Sequence, residues 1–314
     1  MKIHRRIGAC IAMVSLSICS GLLVNGASLT NAAVPSNPRD ERPEQTENIS
    51  SNWIELIQKL PKNEDTKAKL LNGIINSVDY FQTAKGEFRT NLLGMGETTV
   101  KYVTNIDSQR SYQRISGDSL DLEQYFKDAV FTTYDNRAKT VRIVSSMLPV
   151  DNRLLSYEPN TSVYGIADPQ RSFIDNRIHS GQDGVKEYRY RYDLTNTGIA
   201  STSLFSQELA FNLLADLNSW ELVGGDVFLG RNCFMLQGMP SAYANDKLQI
   251  HQFTLYVDAQ TGIILKLQGY SQQGEMTQYL ITTRIAIDAS DVDRLLQEAD
   301  EANYDESKIP PYTL

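Results

Sequence analysis

Apolar and polar positions alternate most regularly between residues 249 and 288. Phe253, Leu255 and Val257 alternate with polar or aromatic neighbours, a second apolar run follows at residues 263–267, and residues 277–288 alternate again. Period-two patterning predicts β-strands with one buried face. The short connection containing Gly262 predicts a hairpin loop. These residues therefore predict a three-stranded antiparallel meander, a broad surface that suits binding and brings no reactive group with it.

The same reasoning divides the rest of the chain into short helices and strands. Apolar residues at helical spacing predict helices at residues 53–60, 65–81, 118–127 and 203–217. Alternating patterns predict strands at residues 84–93, 98–105, 109–115, 129–134, 140–145, 187–193, 220–223 and 227–237. Ser290 followed by Asp293 predicts the capping box of a final acidic helix. Residues 147–184 have no clear period, which is typical of a functional or mobile loop region.

The N-terminal residues predict an export signal. Three basic residues precede an apolar, uncharged run at residues 7–24, and small residues follow up to residue 33. We assign residues 1–33 to a signal peptide. The alternative is an uncleaved membrane anchor, because the run approaches the roughly 20 residues that span a bilayer. A lipoprotein anchor at Cys19 is disfavoured, since Ile18 stands where a small residue is needed.

Export predicts an extracytoplasmic location, whether secreted, periplasmic or associated with the cell envelope. Residues 34–52 are rich in Pro, Ser and charge, and we expect them to form a disordered linker. We expect contact with a membrane only through the N-terminal segment, and only if that segment is not cleaved. The 262 residues after the linker are enough for one substantial core.

Charge and cysteine content narrow the possible partners. The formal net charge of −8 becomes −11 without the predicted signal, which contains three basic residues and no acidic ones. An acidic surface disfavours nucleic acid and anionic membranes. Cys233 is the one cysteine outside the signal, so an internal disulfide is excluded. Its apolar neighbours predict a small buried side chain rather than a reactive thiol.

Motifs for catalysis, metal binding or cofactor binding are not found in the sequence. His179 lies near Ser180 and Asp183, but nothing resembles a nucleophile elbow or another local triad signature, so a hydrolase is a distant third possibility. Zinc and nucleotide motifs are missing as well. Three acidic residues close together are better explained by a solvated helix start than by a calcium loop (Asp288, Asp291 and Asp293). We therefore expect a non-enzymatic protein without a metal or cofactor.

The order of several short signatures resembles a known family. A helix runs into Gly86 and Phe88 at the start of a strand, Gly230-Arg231 opens a central strand, and the turn Asp258–Gly262 precedes an apolar strand. This order resembles the LolA-like and RseB/MucB-like proteins, which are periplasmic lipoprotein carriers and sigma-factor regulators. The likeness covers residues 66–290 approximately and is strongest after residue 219.

The resemblance implies an α+β fold in which a strongly curved antiparallel sheet, an unclosed β-barrel, has helices on its concave side. It implies one such half-barrel domain at residues 53–290, with the N-terminal helices included, followed by a C-terminal helix and tail at residues 291–314. RseB-type regulators have a second C-terminal domain, whereas here we expect only a helix and a tail after the half-barrel signatures. The fold alone does not decide the function.

The sequence and the resemblance together predict a protein that binds a lipid, a lipoprotein acyl chain or another apolar ligand. The alternative is an envelope-stress sensor or regulator that binds an anti-sigma factor or another membrane protein. Apolar residues that alternate on the strands are the candidates for lining a ligand cavity, although the same residues could simply form the core beneath the helices. They are Phe88, Leu92, Val100, Tyr102, Phe253, Leu255, Val257, Ile263, Leu265 and Leu267.

Overall fold

The structure is a computed structural model that describes residues 46–92, 94, 96–145, 177–180, 186–188, 190–296 and 305–306. The predicted signal peptide and most of residues 147–184 lie outside the described residues. Within the described part of the chain, no helix is long and apolar enough to cross a bilayer.

Eleven antiparallel strands form one curved sheet that does not close into a barrel. The strands lie in the order β6-β5-β4-β3-β2-β1-β13-β12-β11-β10-β9, and the two-residue strand β14 lies parallel to β6. A separate hairpin pairs β7 with β8. The strands are β1 Thr83–Thr90, β2 Thr98–Asn105, β3 Arg110–Gly117, β4 Asp121–Lys127, β5 Val130–Asp135, β6 Thr140–Ser145, β7 Ile178–Ser180, β8 Lys186–Tyr188, β9 Trp220–Phe228, β10 Arg231–Gly238, β11 Gln252–Asp258, β12 Ile264–Tyr270, β13 Met276–Ile287 and β14 Asp305–Glu306.

Short helices cover one face of this sheet. They are α1 Thr46–Lys59, α2 Glu64–Ile75, α3 Ser201–Leu204 and α4 Gln207–Leu214. One 3-10 turn, Ser77–Asp79, follows α2, and another, Gly198–Ala200, precedes α3. Buried side chains of these helices and of the sheet form one large apolar cluster. We call the sheet face in this cluster the inner face and the opposite one the outer face. Helix α5, Ala242–Leu248, lies between β10 and β11, and α6, Val292–Leu295, follows β13.

The predicted fold class and the closing meander are confirmed. β11, β12 and β13 pair in sequence order, with Leu255 opposite Leu267 and Leu267 opposite Leu280. Gly262 has a φ of +74° in the loop between β11 and β12, a conformation that only glycine adopts without strain. The strands predicted at residues 129–134 and 140–145 form the hairpin β5–β6.

The helix predicted at residues 118–127 is wrong, because this segment is strand β4. Both of its faces are buried, with Gln124 and Phe126 on the inner face and Tyr125 on the outer face, where its ring lies 4.8 Å from that of Tyr112. A strand covered on both sides lacks the polar–apolar alternation that distinguishes it in a sequence. Pairing with β3 and β5 determines its conformation.

Several helix boundaries differ from the prediction. Helix α1 begins at Thr46, so residues 46–52, predicted as disordered linker, are helical. The predicted helix at residues 203–217 is two helices, because Phe205 leaves the helical region with φ −139° and ψ 61°. The final helix is capped at Asp291 without a side-chain bond, rather than by Ser290. Helix α6 packs Val292 on the outer face.

Two strand predictions also need correction. The strand predicted at residues 227–237 is interrupted by a hairpin turn at Leu229 and Gly230, which have φ values of +53° and +75°. The strand predicted at residues 187–193 ends at Tyr188 and pairs with β7 instead of the main sheet.

A bulge between β1 and β13 changes which residues of β13 face inward. The register shifts at Glu87 and Phe88, so that Phe88 lies opposite Thr282 while Gly86 lies opposite Ile285. The inner face of β13 therefore carries Thr282 before the bulge and Ile285 after it. Strict alternation along the sequence assigns these two residues to opposite faces, and a bulge is the device that brings them together.

Candidate ligand-binding face

The residues predicted to line a cavity lie in the main apolar cluster. Nine of them have exposed fractions of 0–2%, and Leu92 is half-buried and packs against the same cluster. The nine are Phe88, Val100, Tyr102, Phe253, Leu255, Val257, Ile263, Leu265 and Leu267. The structure thus brings all ten together beneath the helices. Their contact with a ligand stays a prediction.

The section of the inner face on β10, β11 and β12 is continuously apolar. Leu255 has Leu236 and Leu267 as its two cross-strand neighbours, and Val257 lies opposite Phe234. Trp53 of α1 covers this section, with its ring 5.3 Å from that of Phe234. Hydrogen bonds between the helices and the sheet occur at the margin of this section, where Trp53 Nε1 donates to the carbonyl oxygen of Cys233 at 3.0 Å. Most of this contact is therefore apolar packing.

The section of the inner face on β3, β4 and β5 contains a polar ladder whose groups are satisfied internally. Gln113 Nε2 donates to Gln124 Oε1 at 2.5 Å, and Gln124 Nε2 donates to Thr133 Oγ1 at 3.3 Å. The segment at residues 193–200 covers this ladder, because the Ala200 amide donates to Gln113 Oε1 at 3.0 Å. Ser111 Oγ donates to the Thr195 carbonyl oxygen at 2.6 Å. One side of the inner face is thus continuously apolar, whereas the other side contains a polar ladder.

Buried hydroxyl groups lie between these two sections. Tyr102 Oη, Thr104 Oγ1 and Thr282 Oγ1 have no hydrogen-bond partner among the described residues. Burial raises the pKa of Tyr102 well above its usual range, so the phenol is protonated at neutral pH. Sequence reasoning placed Tyr102 on this face but missed the two threonines, since an isolated Thr in a strand gives no signal of burial.

A second polar cluster ties the helices to the segment that follows β8. Arg191 donates to both carboxylate oxygens of Asp79 at 2.7 and 2.8 Å and to Asn76 Oδ1 at 2.9 Å. Arg177 donates to the same Asn76 oxygen at 2.9 Å and to Gln207 Oε1. Burial, reinforced by the charge of Arg191, lowers the pKa of Arg177 to about 10. The Arg177 guanidinium stays charged at neutral pH, and both arginines have structural bonding partners.

A small cavity adjoins this cluster. It has a volume of about 30 Å³ and is lined by Val78, Asp79, Ile106, Arg191, Tyr192, Asp193 and Leu194. This volume admits a water molecule but no acyl chain.

The tyrosines of the strand predicted at residues 187–193 lie in two different environments. Tyr188 stacks on Phe211 at 4.9 Å, and Tyr190 approaches the same ring edge-on at 5.2 Å. Tyr192 lines the small cavity instead. Tyr188 and Tyr190 therefore hold this segment on α4. Arg191 points into the polar cluster, which an alternating pattern in the sequence does not reveal.

The remaining candidate groups have structural surroundings. Cys233 is buried, and burial, with the nearby charge of Asp258, raises the pKa of its thiol to about 12. His251 precedes β11, and its Nδ1 lies 3.4 Å from Asn245 Nδ2. His179 lies on β7. Within the residues that the structure describes, no group of three His, Cys, Asp or Glu side chains is arranged to hold a metal ion.

The turn signature between β11 and β12 forms a buried ion pair. Arg231 donates to Asp258 through Nε at 3.0 Å and through Nη2 at 2.8 Å. The Thr261 amide donates to Asp258 Oδ2 at 3.1 Å. The residues that carried the family resemblance thus lie next to one another in space, although Arg231 and Asp258 belong to different strands.

Comparison with known proteins gives likenesses of fold. No family model matches the chain, and no curated protein matches it. The structure of the Pseudomonas aeruginosa MucA/MucB complex matches at 15% identity and a TM-score of 0.41, over 75% of this chain and 62% of that one. The Mycobacterium tuberculosis lipoprotein LppX matches at 8% identity and a TM-score of 0.36, over 74% of this chain and 100% of that one.

A putative outer membrane lipoprotein-sorting domain from Vibrio parahaemolyticus is also similar, at 8% identity and a TM-score of 0.25, over 72% of this chain and 97% of that one. The match to MucB spans less than two thirds of that chain, at 62%. All three TM-scores lie below 0.5, so none of these proteins' properties is assigned to this chain.

Proposed function

We propose that this protein is a non-enzymatic, extracytoplasmic binding protein that holds a lipid, a lipoprotein acyl chain or another apolar ligand. The observation that carries the proposal is the continuous apolar inner face of β10, β11 and β12, beneath helices that contact it mainly through apolar side chains. The extracytoplasmic location is supported by the basic and apolar pattern of residues 1–33.

Binding requires the ligand to replace part of the helix layer, because the inner-face residues are already buried. Apolar contact is not directional, so an acyl chain can substitute for helix side chains against the same strands. Each methylene that leaves water contributes about 0.8 kcal/mol. Bonds at the margin, such as Ser203 Oγ to the Ile264 carbonyl oxygen at 2.8 Å, are few enough to break when the layer moves.

The proposal of a non-enzymatic role is supported by the chemistry of Cys233. Its raised pKa keeps the thiol protonated at neutral pH, and a protonated thiol is a poor nucleophile.

A pair of substitutions at Leu265 tests the binding proposal. Leu265 is buried on β12, so Leu265→Trp fills space next to the inner face, whereas Leu265→Ala removes volume. We expect Leu265→Trp to weaken binding of a polyene fatty acid, followed by its fluorescence, at least about tenfold, and Leu265→Ala to retain binding. Val223→Trp is the control, because Val223 lies on the outer face and is 36% exposed.

Stability is measured on the same variants. Overpacking costs about 1–3 kcal/mol and truncation about 2–5 kcal/mol, so Leu265→Ala is expected to lose at least as much stability as Leu265→Trp. Equal loss of binding in both variants would reflect general destabilisation and contradict the proposal. So would wild-type protein that binds no acyl probe.

The second candidate is a sensor or regulator that docks an anti-sigma factor or another membrane protein. An outer-face cluster favours it: the rings of Phe228 and Tyr256 lie 6.0 Å apart, and Lys266 Nζ lies 4.8 Å from the Tyr256 ring centroid. Partial burial lowers the pKa of Lys266. Half-buried aromatic and cationic side chains are typical anchors of protein interfaces.

Native mass spectrometry of protein purified from its own host separates the two functions. Bound lipid without a partner supports the first, and lipid-free protein in complex with a membrane protein supports the second. In the second case, Tyr256→Ala is expected to weaken the complex, while Leu265→Trp leaves it intact.

A further inference from the structure

Exposed apolar side chains collect at one end of the sheet, around helix α5. Tyr190, Met239, Tyr243 and Met276 have exposed fractions of 55%, 58%, 71% and 48%, and we call these four residues the α5 rim. Single exposed apolar residues are ordinary in folded proteins, whereas a group of them around one end of a sheet calls for an explanation.

The strand order places two of these residues at the same end. Met239 follows β10 and Met276 begins β13, and the antiparallel pairing of β10, β11, β12 and β13 brings these termini to one edge of the inner face. Helix α5, which contains Tyr243, lies beside them. Thr277 Oγ1 donates to the carbonyl oxygen of Gln249, the residue that caps the end of α5, at 2.9 Å.

Contacts of α4 bring Tyr190 next to α5. The Tyr190 ring lies 5.2 Å from that of Phe211 in α4. Lys247 Nζ of α5 lies 2.6 Å from Glu208 Oε1. Glu208 and Phe211 are three residues apart and therefore lie on one side of α4. The rim thus combines side chains from α5, from the ends of two strands and from the segment that packs on α4.

The rim is continuous with the inner face. Leu92, the predicted cavity residue that is only half-buried, packs against the main cluster, and Asn91 Nδ2 beside it donates to the Thr277 carbonyl oxygen at 2.8 Å. Ile250 follows α5 and is fully buried, and a Cβ added to Gly269 would lie 2.6 Å from its Cγ1. One short segment thus has exposed apolar side chains outside and a buried one against the inner face, so its movement would uncover that face.

The opposite end of the apolar section is closed more firmly. There the backbone of Gly262 touches that of α2, since a Cβ added to Gly262 would lie 2.5 Å from the carbonyl oxygen of Gly73. The ion pair of Arg231 and Asp258, with a separation of 2.8 Å, belongs to the same end. Opening this end would separate buried charges, which is costly, whereas the ion pair between α4 and α5 at the rim is exposed.

Charge and spacing favour a neutral bilayer as the surface that meets the rim. Asp246 and Glu275 are exposed beside it, and the one basic residue of α5, Lys247, is already paired with an acid. An anionic surface would therefore be repelled. The rim residues lie on separate elements, and a bilayer accepts separate anchors, whereas a standard protein interface packs about 800 Å² on each side. Tyrosine, with an apolar ring and a polar hydroxyl, suits the level of the headgroups.

We infer that the α5 rim is the surface through which this protein meets a neutral lipid bilayer, and that the acyl chain enters the inner face there, past Ile250. The inference rests on the proposed function and adds to it the source of the ligand and the end at which the ligand enters. The sequence predicts membrane contact only through the N-terminal segment, so this contact is an additional one.

Transfer of a polyene fatty acid from phosphatidylcholine vesicles tests the entry route in the full chain. We expect the double variant Met239→Ser/Tyr243→Ser to slow transfer at least about tenfold, because two apolar anchors are lost, and to keep the affinity for the same probe added from solution. Val223→Ser/Leu229→Ser is the matched control, since these side chains are 36% and 44% exposed and lie away from the rim. It should transfer the probe at the wild-type rate.

Hydrogen exchange tests the contact itself. Phosphatidylcholine vesicles are expected to protect the amides of α5 and to leave the turn at Leu229 and Gly230 unchanged. Adding anionic phosphatidylglycerol to the vesicles should reduce the protection of α5, because the acidic side chains beside the rim are repelled. This measurement reports α5 directly, so an uncleaved N-terminal segment cannot imitate the result.

The outcomes separate the two proposals. Wild-type protein that binds no probe from solution overturns the proposed function, and protection of α5 by vesicles would then still support the bilayer contact. Probe binding with α5 unprotected by vesicles, or with equal transfer rates in the two double variants, overturns the rim alone. Protection of α5 by a host protein and not by vesicles also overturns it, because the rim would then bind a protein.

Discussion

At the residue scale, the Asp258 carboxylate is buried and held by several hydrogen bonds. Its side chain is 2% exposed and accepts hydrogen bonds from Arg231 and from the amide and hydroxyl of Thr261. A buried ion pair contributes little net stability compared with an apolar replacement of both partners. Removing one partner, however, leaves the other charge buried and unpaired.

Arg231→Leu is therefore expected to lower the free energy of unfolding by about 3–5 kcal/mol, measured by urea denaturation. Lys69→Leu is the matched control, because the Lys69–Asp65 pair has a similar 2.7 Å separation but side chains that are 54% and 69% exposed. Such a pair contributes about 1 kcal/mol or less. Similar losses in the two variants would show that the Arg231–Asp258 pair is not buried in solution.

At the element scale, the β11–β12 turn positions helix α2 against the sheet. Gly262 has a φ of +74°, and a Cβ there would lie 2.5 Å from the carbonyl oxygen of Gly73 in α2. The turn and the helix backbone thus touch without a side chain between them. Helix α2 itself is capped by Asn63, whose Oδ1 accepts from the Thr66 amide at 3.0 Å.

Gly262→Ala should combine two costs, the strain of a positive φ and the collision with α2. Gly274→Ala is the control for the first cost, because Gly274 has a φ of +82° and a Cβ added there would meet nothing within 4 Å. We expect about 1–2 kcal/mol for Gly274→Ala and at least about 2 kcal/mol more for Gly262→Ala, from urea denaturation. Equal values would mean that α2 is not seated on this turn.

The individual strands also show where prediction of secondary structure from the sequence succeeds. Residues 98–105 and 252–258 are recognisable as strands because one face is buried and alternation is visible. Residues 121–127 are not, because Gln124 and Tyr125 are buried on opposite faces. The inward position of Thr282 likewise depends on a bulge between β1 and β13, strands far apart in the sequence. Local pattern identifies a strand; its partners decide what each face contacts.

At the scale of the whole molecule, buried tyrosine and cysteine side chains make the free energy of unfolding depend on pH in the alkaline range. Burial, with the adjacent charge of Glu123, raises the pKa of Tyr112 to about 12, and burial also raises that of Tyr102. A group whose pKa is higher in the folded protein contributes stability that is fully present below its unfolded pKa, about 10 for tyrosine. That contribution is lost as pH rises towards the folded value.

We therefore expect the free energy of unfolding to fall as pH rises from about 10 to 12, by about 1.4 kcal/mol per pH unit for each such tyrosine. Tyr102→Phe removes one of these groups, so its slope should be smaller by about that amount. Urea denaturation at pH 9, 10 and 11 gives the slopes. Identical slopes for the variant and the wild type would contradict the burial of the Tyr102 phenol.

The sequence by itself determined the closing meander and the apolar character of the inner face, because alternation and glycine-containing turns are local properties. Nearly all of the residues predicted to line a cavity lie in the main core for the same reason. The class of fold followed from the resemblance of several short signatures to a known family. Only the tertiary structure decided that β4 is a strand, that Arg191 turns towards Asp79, and that three buried hydroxyls of the inner face lack partners among the described residues. Each of these depends on neighbours distant in the chain, whose presence a local pattern cannot report.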